Sequence, residues 1–320
     1  MSDPLSEVLR SVRLTGGVFL DAQFTAPWCV LSQLTAEDCR FALAAATQVI
    51  AYHFIIDGRF ILTVEGEPPI EVQAGEVVLL PRNDAHTLAG SPGLAPISAR
   101  DLIQPSVDGG LLKISHGGGG ERVHLVCGFL ASDDLYNPLI ASLPKVLKLD
   151  VRQGTSRNWV EASVRFAASE LTNGRFASSN IMSRLSELLL VEAVRDYSST
   201  LGGQEAGWLK GLADPYVGRA LALIHRNINV SWSAEALAKE VALSRSAFVD
   251  RFTTLVGMPP IRYLTVWRLQ TAKLNLRERR TAIAKLAHSV GYESEEAFSR
   301  AFKREFGIPP ARWRDQQSLV

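Results

Sequence analysis

The spacing of hydrophobic and polar positions changes along the chain. Between about residues 49 and 130, short runs rich in Val, Ile and Phe are separated by turn residues such as Gly58, Gly66 and Gly75. Runs of this length between glycines are typical of strands in an all-β sandwich or barrel. The pattern therefore predicts a sheet-rich domain in the N-terminal part of the chain.

From about residue 158 the apolar positions follow a helical period, which predicts helices over 158–174 and 178–199. The apolar stripe of the second helix consists of Ile181, Leu185, Leu188 and Leu189. Such a stripe either forms an interface with a second copy of the chain or packs on the barrel of its own domain. The sequence leaves both alternatives open.

A glycine-containing stretch marks a domain boundary. The residues "TLGGQEAG" at 200–207 are typical of a linker, and the chain beyond them reads as helix throughout. We therefore predict an α+β protein of several domains. The first domain covers 1–200 and combines a β-barrel with helices, the linker covers 201–214, and an all-α domain covers 215–320.

The all-α domain contains a repeat with an offset of fifty residues. Its matching pairs are Ser244 and Ser294, Ala247 and Ala297, Phe248 and Phe298, Phe252 and Phe302, Gly257 and Gly307, Pro259-Pro260 and Pro309-Pro310, and Tyr263 and Trp313. The serines are predicted helix N-caps, and the small residues Ala242 and Gly291 are predicted to occupy tight turns. The repeat predicts helix-turn-helix units over about 234–256 and 284–306, joined by a helix over 262–278.

The tandem pattern, above all "SVGYESEEAFSRAFKREFGIPPARWR" at 289–314, resembles the AraC/XylS family of bacterial transcription regulators. The resemblance covers about 215–315 and implies two helix-turn-helix units that bind double-stranded DNA. The β-rich part resembles the cupin-type sensor domain of many members. The resemblance thus implies a sequence-specific regulator of transcription initiation whose DNA binding is modulated by a sensed signal. A homodimer is expected, and RNA polymerase is a further candidate partner.

Charge is distributed unevenly between the two halves. Residues 215–320 contain 17 Lys and Arg against 9 Asp and Glu, whereas residues 1–214 contain 17 against 24. A basic block favours nucleic-acid binding, although a solvated basic face is the alternative.

The chain has neither a signal-peptide pattern nor an apolar run long enough to span a membrane, and its three cysteines are too few for a disulfide framework. We expect a cytoplasmic protein without a membrane partner.

The outward faces of the second helix of each unit supply the candidate DNA contacts. These are Arg245, Ser246, Val249 and Asp250 in the first unit and Glu295, Glu296, Ser299, Arg300 and Lys303 in the second, with Arg262 and Arg312 as candidate backbone anchors. Arg300 matches the family's usual arginine, which can bond a guanine edge or a phosphate. Asp250 departs from that pattern. It either accepts from a cytosine amino group or, as we prefer, pairs with a neighbouring arginine such as Arg251. The two glutamates have a similar alternative, as partners of the helix dipole.

The segment "GEVVLLPRNDAH" has Gly75, Pro81 and His86 at the spacing of the second cupin motif. His53 lies on an earlier strand, and Ile55 occupies the place where a metal-binding cupin has a second histidine. No glutamate completes the usual ligand set. We therefore expect no enzymatic activity. The alternatives retained are a cupin metalloenzyme with a DNA-binding tail and a DNA-binding protein that needs no effector.

Histidine and cysteine residues in the β-rich half suggest a different site. His53, His86 and Cys127 are predicted to converge inside the barrel and are of the right types for zinc, with Cys29 or His124 as a fourth ligand. Such a site would sense a metal or, through the thiolate, an oxidant. The alternative is that these are packing residues. In that case the barrel holds an apolar pocket for a small organic effector or serves as a dimer scaffold.

Overall fold

A computed structural model of the chain describes residues 15–34, 48–105, 111–132, 140, 142–152, 178–200, 207–278 and 281–317. The chain divides into two compact units. We call residues 13–135 and 143–200 the β-rich unit, and residues 1–12, 136–142 and 201–320 the helical unit. The helix predicted over 158–174 lies outside the described residues. Within the described part of the chain, no helix is both long and apolar enough to cross a membrane.

The strands of the β-rich unit are β1 Thr15–Thr25, β2 Cys29–Ser32, β3 Gln48–Asp57, β4 Arg59–Val64, β5 Ile70–Gln73, β6 Glu76–Leu80, β7 His86–Ala89, β8 Ile97–Ser98, β9 Leu112–Gly117, β10 Arg122–Ser132 and β11 Leu147–Asp150. Its described helices are α1 Ala99–Leu102 and α2 Ser178–Thr200. One sheet has the order β11-β6-β3-β10-β1-β9, and the other has the order β5-β4-β7-β2-β8. Apolar residues from both sheets form one buried core. This is the sheet-rich cupin arrangement that was predicted.

Five of the Val-, Ile- and Phe-rich runs between residues 49 and 130 correspond to β3 to β6 and β10. Strand β1 was not predicted, although it pairs with both β10 and β9. Its partners lie about a hundred residues away in sequence, so its pairing follows from tertiary structure and not from a local turn. The edge strand β8 contains only two residues and leaves no periodic signal.

Helix α2 packs on the barrel of its own unit. Tyr52 on β3 lies opposite Gly128 on β10, where a Cβ would come 2.1 Å from the Tyr52 hydroxyl oxygen. Glycine at this position makes room for the tyrosine ring, and the Tyr52 hydroxyl lies 2.8 Å from that of Ser186 on α2. The buried residues of the helix include Leu189, Leu190 and Val194, whereas Leu185 and Leu188 are half-buried. Of the two alternatives for the apolar stripe, packing on the barrel is therefore observed. The side chain of Ile181 lies outside the description.

The helical unit contains α3 Trp208–Ala213, α4 Val217–Arg226, α5 Ala234–Glu240, α6 Arg245–Val256, α7 Pro260–Glu278, α8 Ile283–Ser289, α9 Glu295–Phe306 and α10 Pro310–Gln317. The pairs α5–α6 and α8–α9 are the two predicted helix-turn-helix units, and α7 is the predicted joining helix. Residues in each turn, Ala242 and Gly291, have φ angles of 58° and 84°. A backbone in this region favours small residues, which explains the repeat at these positions.

Candidate nucleic-acid interface and sensor site

The two recognition helices, α6 and α9, are held by equivalent contacts. The hydroxyl of Ser244 accepts a hydrogen bond from the backbone N–H of Ala247 at 3.3 Å, and that of Ser294 accepts one from Ala297 at 3.1 Å. Both serines are therefore N-caps, as predicted. The ring centroids of Phe248 and Phe252 in α6 and of Phe298 and Phe302 in α9 are 5.6 Å apart in each pair, and all four rings are fully buried.

Burial of these rings leaves the opposite helix faces accessible. Among the predicted DNA contacts, the exposed residues are Arg245, Ser246, Asp250, Glu295, Glu296, Arg300, Lys303, Arg262 and Arg312, and the half-buried ones are Val249 and Ser299. Their exposure satisfies the first requirement for contact with DNA. Their roles as DNA contacts stay predictions.

The preferred prediction that Asp250 pairs with Arg251 is wrong. Arg251 donates to Oδ2 of Asp214 from Nε at 2.9 Å and also from Nη2. Burial raises the pKa of Asp214, but hydrogen bonds from Arg251 and from the backbone N–H groups of Val217 and Tyr216 outweigh it, so the pKa lies below its ordinary value. Asp214 was missed as a structural residue. Its signal in the sequence is an Asp-Pro pair just before a helix, which is typical of a helix start.

Two further predicted contacts have partners within the protein. Hydrogen bonds from its own backbone N–H and from the Ser294 hydroxyl lower the pKa of Glu296. This supports its alternative role as a partner of the N-terminus of α9. Arg262 on α7 donates to Glu305 of α9 at 2.8 Å. The pair is exposed on the arginine side, so the guanidinium also remains accessible for a phosphate.

In the β-rich unit, the three residues predicted to converge do so. His53 Nδ1 lies 2.9 Å from Sγ of Cys127, and His53 Nε2 lies 2.7 Å from Nε2 of His86. His86 Nδ1 lies 2.9 Å from the backbone carbonyl oxygen of Asp84. We call this series, from Cys127 through His53 and His86 to Asp84, the thiol–imidazole chain.

The hydrogen-bond partners determine which atoms of the thiol–imidazole chain carry a proton. A carbonyl only accepts, so Nδ1 of neutral His86 carries the proton and its Nε2 accepts from His53. Nδ1 of neutral His53 is then free to accept from the Cys127 thiol. Burial raises the pKa of Cys127, whereas burial and the neighbouring His86 lower the pKa of His53 well below its ordinary value. Burial also lowers the pKa of His86. The thiol–imidazole chain is therefore neutral, and each of its ring nitrogens and its sulfur has a partner.

The fourth predicted ligand is wrong. Val30 and Leu88 belong to the buried core, so their neighbours Cys29 and Ala89, which pair with each other, point to the opposite face of the sheet. His124, the alternative fourth ligand, also lies outside the core and pairs with Asp21 at 2.6 Å. In the described residues, no group of three or more His, Cys, Asp or Glu side chains is arranged to hold a metal ion. The physical reason is that His53 directs its two nitrogens to different partners.

A cavity of about 600 Å³ borders the thiol–imidazole chain at His53 and Cys127. Its apolar lining includes Leu20, Leu31, Leu34, Ala51, Ile103 and Leu112, and its polar lining includes Ser32, Gln33, Ser98 and Arg100. A volume of this size accommodates a small organic molecule. From the sequence, the cavity is only the alternative to a metal site, because its lining comes from distant strands and from the segment containing α1.

Comparison with known proteins identifies relatives over both units. Residues 3–199 match the family model described as Cupin, and residues 237–316 match the model described as Helix-turn-helix domain. A putative AraC-like transcription regulator of Streptomyces lividans is 32% identical over 99% of this chain and 99% of its own length. The HTH-type transcriptional regulator AlkR of Acinetobacter baylyi is 28% identical over 98% and 99%, respectively. The structure of the DNA-binding domain of AdpA in complex with a target DNA is also similar. The match covers 33% of this chain and 95% of the AdpA chain, with 26% sequence identity and a TM-score of 0.32.

Proposed function

The chain belongs to the AraC family of transcription regulators with an N-terminal cupin domain, and we propose that it binds two adjacent segments of duplex DNA under the control of a signal received in the cupin domain. The observation that carries the proposal is the duplicated helix-turn-helix structure. Its recognition helices share the same caps and buried aromatic pairs and present exposed polar faces. Recognition helices of this kind enter successive major grooves, about 34 Å apart.

The two recognition helices offer different chemistry to DNA. Beyond its first turn, which carries Glu295 and Glu296, helix α9 presents Arg300 and Lys303, whereas the middle of α6 presents Asp250 and its start presents Arg245. Cations bind phosphates and guanine edges, whereas a carboxylate is repelled by phosphate and accepts only from an amino group such as that of cytosine. The second unit is therefore proposed to supply most of the affinity, and the first unit to add discrimination.

The thiol–imidazole chain and the adjacent cavity are proposed as the sensor. A small, mainly apolar effector in the cavity contacts His53 and Cys127 and so reaches a buried polar series that spans β10, β3 and β7. A metal ion or an oxidant is the competing input. A zinc ion between His53 and His86 needs the two Nε2 atoms to separate to about 3.3 Å, since Zn–N bonds are about 2.0–2.1 Å long. Whichever ligand or oxidant acts must favour one of two conformations of the protein. A ligand bound equally well by both conformations does not change the equilibrium between them.

We further propose a cytoplasmic homodimer that regulates transcription initiation, with RNA polymerase as a partner at the promoter. Half-buried Leu185 and Leu188 on α2 are candidates for the interface between copies. The regulator function is proposed without an enzymatic one. Ile55 is buried on the same strand face as His53, two residues along β3, where a metal-binding cupin has a histidine.

The experiment uses the full chain and a library of random duplexes. Sequencing of the retained fragments is expected to yield two short preferred segments separated by about one helical turn. Absence of any enriched sequence would overturn the regulator assignment. Binding to the enriched site is then measured with apolar organic compounds, zinc and hypochlorite in turn. An affinity that no added compound changes would favour the alternative of an effector-independent DNA-binding protein.

A further inference from the structure

Arg268 lies near the middle of α7, the helix that joins the two helix-turn-helix units, and is half-buried. Its Nε donates to the carbonyl oxygen of Ile228 at 2.8 Å, and its Nη2 donates to that of Val230 at 2.7 Å. Both carbonyls belong to the loop between α4 and α5. The guanidinium therefore holds the entrance of the first unit against the joining helix.

The same guanidinium borders the second unit. Its Cζ lies 6.0 Å from the centre of the Tyr292 ring. A Cβ added to Gly291, in the turn between α8 and α9, would lie 2.5 Å from Nη2 of Arg268 and 2.9 Å from Cα of Asn229. Asn229 belongs to the loop of the first unit. Loop, guanidinium and turn are thus packed together without room for a methyl group.

The internal repeat provides a comparison for Gly291. The equivalent turn residue of the first unit is Ala242, which has a left-handed backbone at φ 58° and carries a side chain. The left-handed backbone alone therefore does not demand glycine in this fold. What distinguishes Gly291 is the loop and the guanidinium packed against it.

We propose that Arg268 is a positioning residue that sets the separation and relative rotation of the two recognition helices, and so the spacing between the two DNA segments that the protein reads. The inference rests on the proposed function. A planar guanidinium holds two carbonyls in fixed directions, which the single ammonium of lysine cannot reproduce. The exposed Arg262–Glu305 pair also joins α7 to α9, but a pair so accessible to water adds little rigidity.

The test measures affinity against spacing with the full chain. The enriched DNA site is remade with one or two base pairs inserted or removed between its two segments. Each base pair rotates one segment relative to the other by about 34°. We expect the wild type to lose about tenfold or more in affinity for each shift, comparable to a mismatched base pair. The affinity of Arg268→Gln is expected to vary by about threefold or less across the same series. Without the guanidinium the two helix-turn-helix units can adjust their separation and rotation to each spacing.

Gly291→Ala is expected to change the preferred spacing, and Arg268→Lys to broaden it, so the outcome does not depend on one variant folding. Ala242→Gly is the matched control in the first unit and is expected to keep the wild-type profile. A uniform loss of affinity at every spacing in Arg268→Gln, with the wild-type preference retained, would show that Arg268 only supports the fold and would overturn the inference. Failure of the wild type to enrich any site would instead count against the proposed function.

Discussion

Arg251 on recognition helix α6 is bound to Asp214 at the end of α3, not to Asp250 beside it in the sequence. The same carboxylate accepts from the backbone N–H groups of Tyr216 and Val217 through Oδ1 and so caps α4. One aspartate thus joins α3, α4 and the recognition helix α6 of the helical unit. Arg251 is therefore engaged with Asp214, and Asp250 remains exposed.

Replacement of Asp250 tests whether it reads a base. We expect Asp250→Ala to lose discrimination at one base pair, by about 1–3 kcal/mol if a cytosine amino group is its partner, since no acceptor remains. Affinity for unrelated DNA should rise slightly because a carboxylate near phosphate is removed. Competition between the enriched duplex and its single-base variants measures both. An unchanged preference at every position would leave Asp250 as a surface charge.

Arg300 and Lys303 on α9 are expected to differ in what they recognise. Arg300→Ala should cost about 1–3 kcal/mol and relax preference at one base, because a guanidinium can bond a guanine edge through two N–H groups. Lys303→Ala should weaken binding to all sequences alike. It should also reduce the slope of log affinity against log salt concentration by about one, since one phosphate contact is lost. Titrations at several salt concentrations separate the two effects. A uniform loss for Arg300→Ala would make it a phosphate contact.

We expect His225 to make the stability of the helical unit depend on acid. Its ring lies 4.1 Å from that of Trp267, and its Nε2 is hydrogen-bonded to the Tyr263 hydroxyl at 2.7 Å. Burial lowers the pKa of His225 to about 3, from an ordinary value of 6.5. Between those values the unfolded chain binds a proton that the folded chain does not. Stability is therefore complete above pH 6.5 and falls as the pH drops towards 3, by at most about 1.4 kcal/mol per pH unit for this one proton.

The variant His225→Phe removes that proton uptake. We expect it to be less stable than wild type at neutral pH by about 1 kcal/mol, because the Tyr263 hydroxyl loses a partner. Its stability should depend less on pH below 6.5. Urea unfolding followed by tryptophan fluorescence at pH 7.5, 6 and 5 provides the comparison. His53 and His86 titrate in the same direction in both proteins, so equal pH slopes would contradict the assignment to His225.

A zinc titration distinguishes the two ends of the thiol–imidazole chain. If zinc binds, it binds between Nε2 of His53 and Nε2 of His86, and Cys127 supports it only through Nδ1 of His53. His86→Ala should therefore abolish binding. Cys127→Ser should weaken it by about 10–100-fold, as expected of an outer-shell partner. Equal loss in both variants would make Cys127 a direct ligand, and no binding by the wild type would leave the organic effector as the input.

Dimerisation is tested by sedimentation of the full chain at tens of micromolar. We expect a dimer, with Leu188→Glu shifting it towards monomer because a charge is placed on the part of α2 that is incompletely buried by its own barrel. Asp196→Ala changes an exposed residue on the same helix and should leave the dimer intact. A monomeric wild type at this concentration would refute the dimer proposal.

The helix-turn-helix units could be predicted almost completely because their determinants are local. A serine caps the helix that follows it, phenylalanines four positions apart fall on one face, and a left-handed turn restricts its residue to a small one. Each of these relations involves residues within one or two helical turns. The duplication at an offset of fifty then shows the same local pattern twice.

The contacts that give the sites their chemistry join residues far apart in the chain. Strand alternation assigns each side chain to one of two faces. Only the tertiary structure shows that His53 and Cys127, neighbours on one sheet, meet His86 from the other sheet, whereas Cys29 points to the outer face of that second sheet. Likewise, Asp214 meets Arg251 across 37 positions and Arg268 meets Ile228 across 40. Such partners are chosen by packing of whole elements, whose free energy is spread over many residues and leaves no periodic trace in the sequence.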